Sequence, residues 1–439
     1  MVLFYSPPKK TVSSKTIDVT IHALDAFGQG IADYHGKTVF VKNALPQEQV
    51  KAKLTEDKKQ FAKASVIQYQ RKSPQRITPQ CNHYQRCGGC EMQHIPEQLQ
   101  HDVKAQALAN LLKKEADYTL ETTNINVIAA TPYHYRRRAR LAVMWQKNQL
   151  WMGFRQVESN QIVDIKMCPV LVPELEHLLI PLKNCLTHLK DKKAFGHIEL
   201  LHTESGSMII LRHIKPFSDQ DITTLVTFAK QHALSLYLLG ESLVHYSGPQ
   251  MHYYDIDGLT LTFSPLDFIQ VNSEINRQMI AQALNWLDLQ PTDQVLDLFC
   301  GMGNFSLPLA KRCQKVIGVE GVPALVEKAK HNAILNQQSL LAEVDFFVSN
   351  LDEVTNQPSW FTADINKILL DPARAGAYPI MDKIIAHQPS HIVYISCNPA
   401  TLVRDSKKLI EAGYQIMKAS ILDMFPQTKH IESMLLFIK

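Results

Sequence analysis

The sequence predicts a multidomain protein with an N-terminal β-barrel, a β-rich central domain and a C-terminal doubly wound, Rossmann-like α/β domain. Three observations carry that reading. The chain has 439 residues, room for about three domains on a scale of ~150 residues each. Hydropathy alternates with period two from Lys15 to about Gln70, as half-buried strands do. Beyond Leu261 the order becomes strand, glycine loop, helix, strand, the grammar of a parallel sheet. With 45% hydrophobic and 20% charged residues, disordered and collagen-like chains are excluded.

The barrel is assigned to residues 1–72. Its strands are expected at Thr16–Ile21, Lys37–Val41, Val50–Leu54 and Ala64–Tyr69, in a barrel of about five strands. Gly28, Gly30, Gly36 and the Asn43–Pro46 stretch form the turns between them. The formal charge of +4 hides an asymmetry: residues 1–72 carry 12 Lys/Arg against 6 Asp/Glu, and residues 1–140 carry +9 against −5 for the rest. A basic front on a mildly acidic body suits a polyanion binder with a separate catalytic body. Lys42, Lys51, Lys53, Lys58, Lys59 and Lys63 lie on or between the expected strands, which points to single-stranded or looped nucleic acid. The segment Asp25-Ala-Phe-Gly-Gln-Gly-Ile-Ala-Asp33, followed by Val39–Glu48, resembles the TRAM domain, an OB-like RNA-binding module. Gln47 stands where that family often has glycine.

The central domain is assigned to residues 73–262. Arg71–Gln80 reads as a linker, with Ser73-Pro74 and Thr78-Pro79. Cys81, Cys87 and Cys90 follow, the last two separated by Gly88 and Gly89, so three thiolates share one loop whose glycines let the backbone curl. A fourth ligand is needed, and Cys168, beside Met167 and Pro169, is the candidate. Four thiolates suit zinc or an iron-sulfur cluster, and spacing alone leaves both open. After Ile95, apolar residues at Leu99, Val103, Ala107, Leu108, Leu111 and Leu112 predict a helix over about 95–120, expected to pack on the catalytic domain. From Ile125 to Leu261 the pattern is mostly strand-like. The run Tyr135-Arg-Arg-Arg-Ala-Arg140 is a candidate phosphate grip.

The α/β domain is assigned to residues 263–439, with strands at Gln294–Leu298, Val316–Glu320, Val344–Val348, Lys367–Asp371 and His391–Ser396. The first runs into Phe299-Cys-Gly301-Met-Gly303, whose glycines allow close approach of a ligand, and Asp297 and Glu320 flank it. Ser306 replaces the third glycine of the dinucleotide fingerprint. Asp371-Pro-Ala-Arg374 and Ser396-Cys-Asn-Pro399 end the last two strands. Both therefore sit at the carboxyl edge, where open α/β sheets bind ligands. The loop pattern resembles the S-adenosylmethionine (SAM) site of class I methyltransferases.

Together with Thr428–Ser433, these motifs resemble the RNA 5-methyluridine (uracil-5-) methyltransferase family over nearly the whole chain. The resemblance implies that Cys397 is the nucleophile, adding to carbon 6 of uracil, and that Glu432 is the base removing the carbon 5 proton. It implies SAM contacts from Gln270, Phe299, Asn304, Glu320, Asn350 and Asp371. It also implies a [4Fe-4S] cluster on Cys81, Cys87, Cys90 and Cys168, with no redox step. The nucleophile is expected as a thiolate, which a free thiol of pKa ~8.5 needs help to become. Ala373 and Arg374 stand where amino-methylating enzymes place an aromatic residue. A TRAM domain together with four cysteines resembles the branch acting on a uracil (position 1939) of 23S ribosomal RNA. The same chemistry on another rRNA or tRNA uracil and a non-catalytic RNA-binding assembly factor are the alternatives. With no signal-like or membrane-length apolar run, a cytoplasmic monomer without an obligate protein partner is expected. Cys185, Cys300 and Cys313 are expected to be packing residues.

Overall fold

The computed structural model describes residues 15–353 and 358–439. They form two compact units. One holds the described part of Met1–Gln85 with Gly89–Ala107 and Gln427–His430; the other holds Arg86–Gly88, Leu108–Pro426 and Ile431–Lys439.

In the first unit the alternating segments become a six-stranded sheet. In order across the sheet its strands are Thr16–Thr20, Gln49–Asp57, Phe61–Arg71, Lys37–Lys42, Gly30–Tyr34 and Ala23–Leu24. The last two were absent from the expected set; the glycine-rich run hides a strand that begins at Gly30 itself. His22, between the first strand and the far edge strand Ala23–Leu24, donates its N–H to Ile31 on the neighbouring strand (2.9 Å), so one short stretch of chain joins the two edges of the sheet. Inward residues Ile17, Val19, Val39, Val41, Val50, Ala52, Leu54, Ala62 and Ala64 make the core. Gln47 takes φ +70°, a left-handed turn that glycine adopts more cheaply, while its N–H donates to Ile21. Beside it the buried Glu48 carboxylate accepts from Leu45 N (2.8 Å), Ser73 N (3.2 Å) and Arg76 Nε (2.6 Å). Ser73 and Arg76 belong to the expected linker, so that segment is pinned to the barrel.

The second unit contains two large sheets. The seven-stranded sheet runs in the order Ile162–Asp164, Gln149–Arg155, Arg138–Gln146, Phe195–Thr203, Gly206–His213, Leu234–Leu239, Leu243–Ser247. It is antiparallel except between the Gly206–His213 and Leu234–Leu239 strands. Three helices that the strand-like reading missed accompany it: Pro173–Glu176, Leu179–Thr187 and Asp219–Gln231. The last is capped by Ser218, whose hydroxyl accepts the Asp221 N–H.

The catalytic sheet has eight strands: β1 (Ile125–Ile128), β2 (Gln294–Leu298), β3 (Lys315–Glu320), β4 (Glu343–Val348), β5 (Lys367–Leu370), β6 (His391–Ser396), β7 (Gln415–Leu422) and β8 (Glu432–Ile438). Their order is β4-β3-β2-β5-β6-β8-β7-β1. The five expected strands pair in parallel. Helices Ser306–Ala310, Pro323–Leu335, Met381–His387 and Pro399–Glu411 make crossovers; among the described residues between β4 and β5 there is none. Strand order reverses at β2, so the β2 and β5 loops face one crevice. β8 is antiparallel to both β6 and β7.

Two assignments are corrected. Ile125–Ile128 was placed in the central domain, yet it pairs in parallel with β7. The hairpin His252–Ile256/Leu259–Phe263, placed before the boundary at 262, packs Tyr254, Ile256, Leu259, Leu261 and Phe263 into the catalytic core. Asn332 ties it there, accepting Thr262 N–H (2.9 Å) and donating to Thr262 O (3.1 Å). No helix among the described residues is long and apolar enough to cross a membrane.

Candidate active site

β2 ends at Leu298 and the chain turns through Phe299 (φ +66°), Gly301 (φ +56°) and Gly303 (φ +97°). Glu320, closing β3, reaches under this loop: its Oε2 accepts Gly301 N–H (3.2 Å) and its Oε1 accepts Val322 N–H (2.9 Å). Asp297 is fully buried. Ser306 Oγ donates to its Oδ2 (2.5 Å), while its Oδ1 has no partner among the described residues. A buried carboxylate oxygen without a donor is costly unless a ligand supplies one. Burial pushes Asp297 up to about 7, with contributions from the Asp371 and Glu320 charges. Burial alone raises Asp371 to about 7.

Asn304 is held by Asn276 and Tyr254: its Oδ1 accepts from Tyr254 OH (3.0 Å) and its Nδ2 donates to Asn276 (3.1 Å). Asn350, after β4, accepts the Asp352 N–H in a local turn (3.1 Å). The Gln270 loop is clamped by Arg137, whose Nε donates to Gln270 O (2.8 Å). That contact overturns part of the phosphate-grip reading. Arg137 is 3% exposed beneath its contacts with Gln270 and the Tyr254 ring. Arg138 is committed to Glu199 (3.0 Å) and to the Asp267 carbonyl.

Cys397 and Glu432 lie far apart in sequence and close in the sheet. β6 and β8 run antiparallel with Ser396 opposite Ser433, and the same register one step on sets Cys397 opposite Glu432. Glu432 is 4% exposed. Burial and the Asp371 charge push it up to about 8, against the pull of Arg374. The Cys397 thiol is raised as well, by burial first and then by Glu432 and Asp371, with Arg374 opposing. The expected preformed thiolate is therefore not what the resting site favours. The nearby start of the helix Pro399–Glu411, capped by Asn398, offers partial compensation through its dipole. Arg374, noted in the sequence only as a departure from an aromatic, emerges as the cation acting on both groups.

Two of the remaining cysteines behave as packing residues. Cys300 is buried under Gly318, and Cys313 donates to Leu309 O. Of the four proposed cluster ligands, Cys81 accompanies Gln93, which accepts its N–H (3.1 Å), and Cys168 N–H donates to Glu176 (2.8 Å). Cys87 bridges to Gln156. Among the described residues no three His, Cys, Asp or Glu side chains are gathered as a metal site. The donor chemistry suits a thiolate-bound metal.

A glycine loop with a ligand-seeking acid, a second acid closing the next strand and reactive groups along the same edge define a SAM-dependent methyltransferase of the Rossmann-like class. The comparisons with known proteins narrow this. Residues 94–439 match the tRNA (uracil-5-)-methyltransferase family, and residues 11–67 match the TRAM domain. The chain belongs to that family of SAM-dependent uracil-C5 RNA methyltransferases. It is 50% identical over 448 residues to the 23S rRNA (uracil(1939)-C(5))-methyltransferase RlmD of Pectobacterium carotovorum subsp. carotovorum, covering 100% of this chain and 98% of the relative. It is 49% identical over 441 residues to the protein of that name from Photorhabdus laumondii subsp. laumondii, covering all of both chains. The solved Pyrococcus abyssi tRNA (uracil-54, C5)-methyltransferase, in complex with S-adenosyl-L-homocysteine, shares the fold. Its TM-score is 0.72 at 23% identity, over 96% of this chain and 100% of that one.

Proposed function

We propose that this protein methylates carbon 5 of the uracil in 23S ribosomal RNA that corresponds to position 1939. The carrying observation is the β6–β8 register, which sets a thiol against a buried carboxyl beside the SAM loop. Full-length identity of about half to relatives bearing that activity, and the TRAM match, support the choice of RNA.

SAM, when bound, supplies an electrophilic methyl group. Gln270, Phe299, Asn304, Glu320, Asn350 and Asp371 are the residues proposed to hold it, with Asp297 beneath. Cys397 gives up its proton to solvent and its thiolate adds through sulfur to uracil carbon 6, and the electron pair of the 5,6 double bond makes carbon 5 nucleophilic. Carbon 5 bonds to the methyl carbon as that carbon's bond to the sulfonium sulfur breaks, so that S-adenosylhomocysteine would be the leaving group. Glu432 then takes the carbon 5 proton, the double bond reforms and the carbon–sulfur bond breaks. A carboxyl of pKa about 8 is matched to proton transfer near neutral pH.

Cys81, Cys87, Cys90 and Cys168 are proposed to bind a [4Fe-4S] cluster with no part in these steps. Support is the thiol donor set and its loop spacing; iron and acid-labile sulfide assays on anaerobically prepared protein test it, and zinc alone would refute it. For the main reading, 5-methyluridine is mapped in ribosomal and transfer RNA from a strain lacking the gene. Loss at the 1939 uracil is expected; loss confined to tRNA overturns the substrate. Full turnover by Cys397→Ala overturns the mechanism.

A further inference from the structure

Behind the reactive edge lies a buried charge that the chemistry above does not use. Asp405, on the helix that begins just after Cys397, is fully buried. Its Oδ2 accepts from Tyr394 OH (2.6 Å) and from Ala377 N–H (2.7 Å), and its Oδ1 accepts from Arg404 Nε (2.7 Å). Tyr394 is also fully buried, three residues before Cys397 on β6.

Every one of these bonds leads to the loop after β5. Arg404 Nη2 donates to Ala375 O (2.8 Å), Asn398 Nδ2 to Arg374 O (3.0 Å) and Thr401 Oγ1 to Arg374 O (3.3 Å). Gly376 takes φ +81° with its Cβ position only 2.6 Å from Asp405 Oδ2, so the loop is drawn onto the carboxylate as closely as a backbone can approach. A buried carboxylate is costly even when paired, and a core needing only packing is served as well by apolar side chains. What this one holds is a surface loop carrying Asp371 and Arg374, the opposite charges that act on both Cys397 and Glu432.

We propose that Asp405 is a positioning residue for methyl transfer, fixing the 371–377 loop so that Arg374 stands against the thiol and the carboxyl. The inference rests on the assignment of Cys397 and Glu432 as the reacting groups. Asp405 itself touches neither.

Asp405→Asn keeps the shape and one acceptor for Ala377 while losing the charge that orients Arg404. Tyr394→Phe removes a single hydroxyl and guards against a variant that fails to fold. Steady-state kinetics on a short RNA substrate, SAM affinity by calorimetry and covalent trapping on a denaturing gel are measured for both. Asp405→Asn is expected to lower kcat by about tenfold or more, with KM for RNA and SAM affinity within about threefold. Tyr394→Phe should show a smaller loss of the same kind. In a Glu432→Gln background, Asp405→Asn should slow adduct formation by the same factor. Combined with Arg374→Ala it should cost no more than Arg374→Ala alone, since both act through one group. Parent-like kcat in a folded Asp405→Asn variant, or losses that multiply with Arg374→Ala, would overturn the proposal. The assignment beneath it fails separately, if Cys397→Ala still forms adduct.

Discussion

Asp297→Asn tests whether the orphaned oxygen beneath the glycine loop is there for the cofactor. SAM carries a sulfonium and an ammonium, and the loop edge presents Asp297 and Asp371, both raised to about 7. The raised values mean that each carboxyl holds a proton below pH 7 in the cofactor-free protein, and a cation binds best once that proton has left. Affinity should be full above about pH 8 and fall as pH drops through 7. A carboxyl of pKa about 7 is roughly nine-tenths ionised at pH 8 and one-tenth at pH 6. SAM affinity should therefore weaken about tenfold over that range if one ionised carboxylate is required, and about a hundredfold if both are. Asparagine mimics the protonated acid and still accepts from Ser306. It should leave binding at pH 6 nearly unchanged and lower it at pH 8, removing about one factor of ten from the total change between pH 6 and pH 8. Calorimetry at pH 6, 7 and 8 in buffers of different ionisation enthalpy reads both affinity and protons released. A parent affinity constant within twofold across that range would refute the reasoning, and an Asp297→Asn curve parallel to the parent's would remove Asp297 from it.

Three further outcomes follow from the same geometry. Glu432→Gln should permit methyl transfer yet stall proton removal, leaving a covalent protein–RNA adduct on denaturing gels and slowing turnover by about 10²–10⁴; absence of adduct would show that another base acts. Gly376→Ala forces a side chain into a left-handed backbone 2.6 Å from Asp405 Oδ2, and should cost at least about 1–2 kcal/mol in urea unfolding; unchanged stability would show that the loop relaxes freely. Glu48→Gln leaves the Arg76 guanidinium without its buried partner and should destabilise the barrel by about 3 kcal/mol. In the parent, burial raises Glu48, but the Arg76 bonds outweigh it and the net shift is downward. That contribution is thus present above the ordinary carboxylate range and is lost as pH falls through the depressed value, which acid unfolding of the two proteins can compare.

The parallel strands were legible because each is a short apolar run ending in a glycine, acidic or Asx-rich loop, a local signal that needs no partner. The strand Ile125–Ile128 was not. Its four residues look like their neighbours in the central sheet, and only its pairing with Ala419–Leu422 assigns it to the catalytic sheet. The hairpin over 252–263 failed for a similar reason: what attaches it is Asn332, some 70 residues on. The arginine run misled because charge was counted without burial. Arg137, just before the strand Arg138–Gln146, turns inward, where the Gln270 carbonyl and the Tyr254 ring receive it.

The proposed reacting pair shows most plainly where sequence reasoning ends. Cys397 sits in a loop signature that can be read directly, whereas Glu432 stands in a stretch that composition would leave at the surface. Only resemblance linked them. The link becomes physical once β8 turns back between β6 and β7: antiparallel register brings a residue 35 positions away directly opposite the thiol. The same turn buries the carboxyl, and burial raises its pKa into the range a proton acceptor near neutral pH requires. A parallel strand in that place would have delivered its carboxyl end to the edge, but only after another crossover. Reversing one strand thus provides position and proton affinity together, and sets Arg374 as a cation opposing two carboxyls at the thiol.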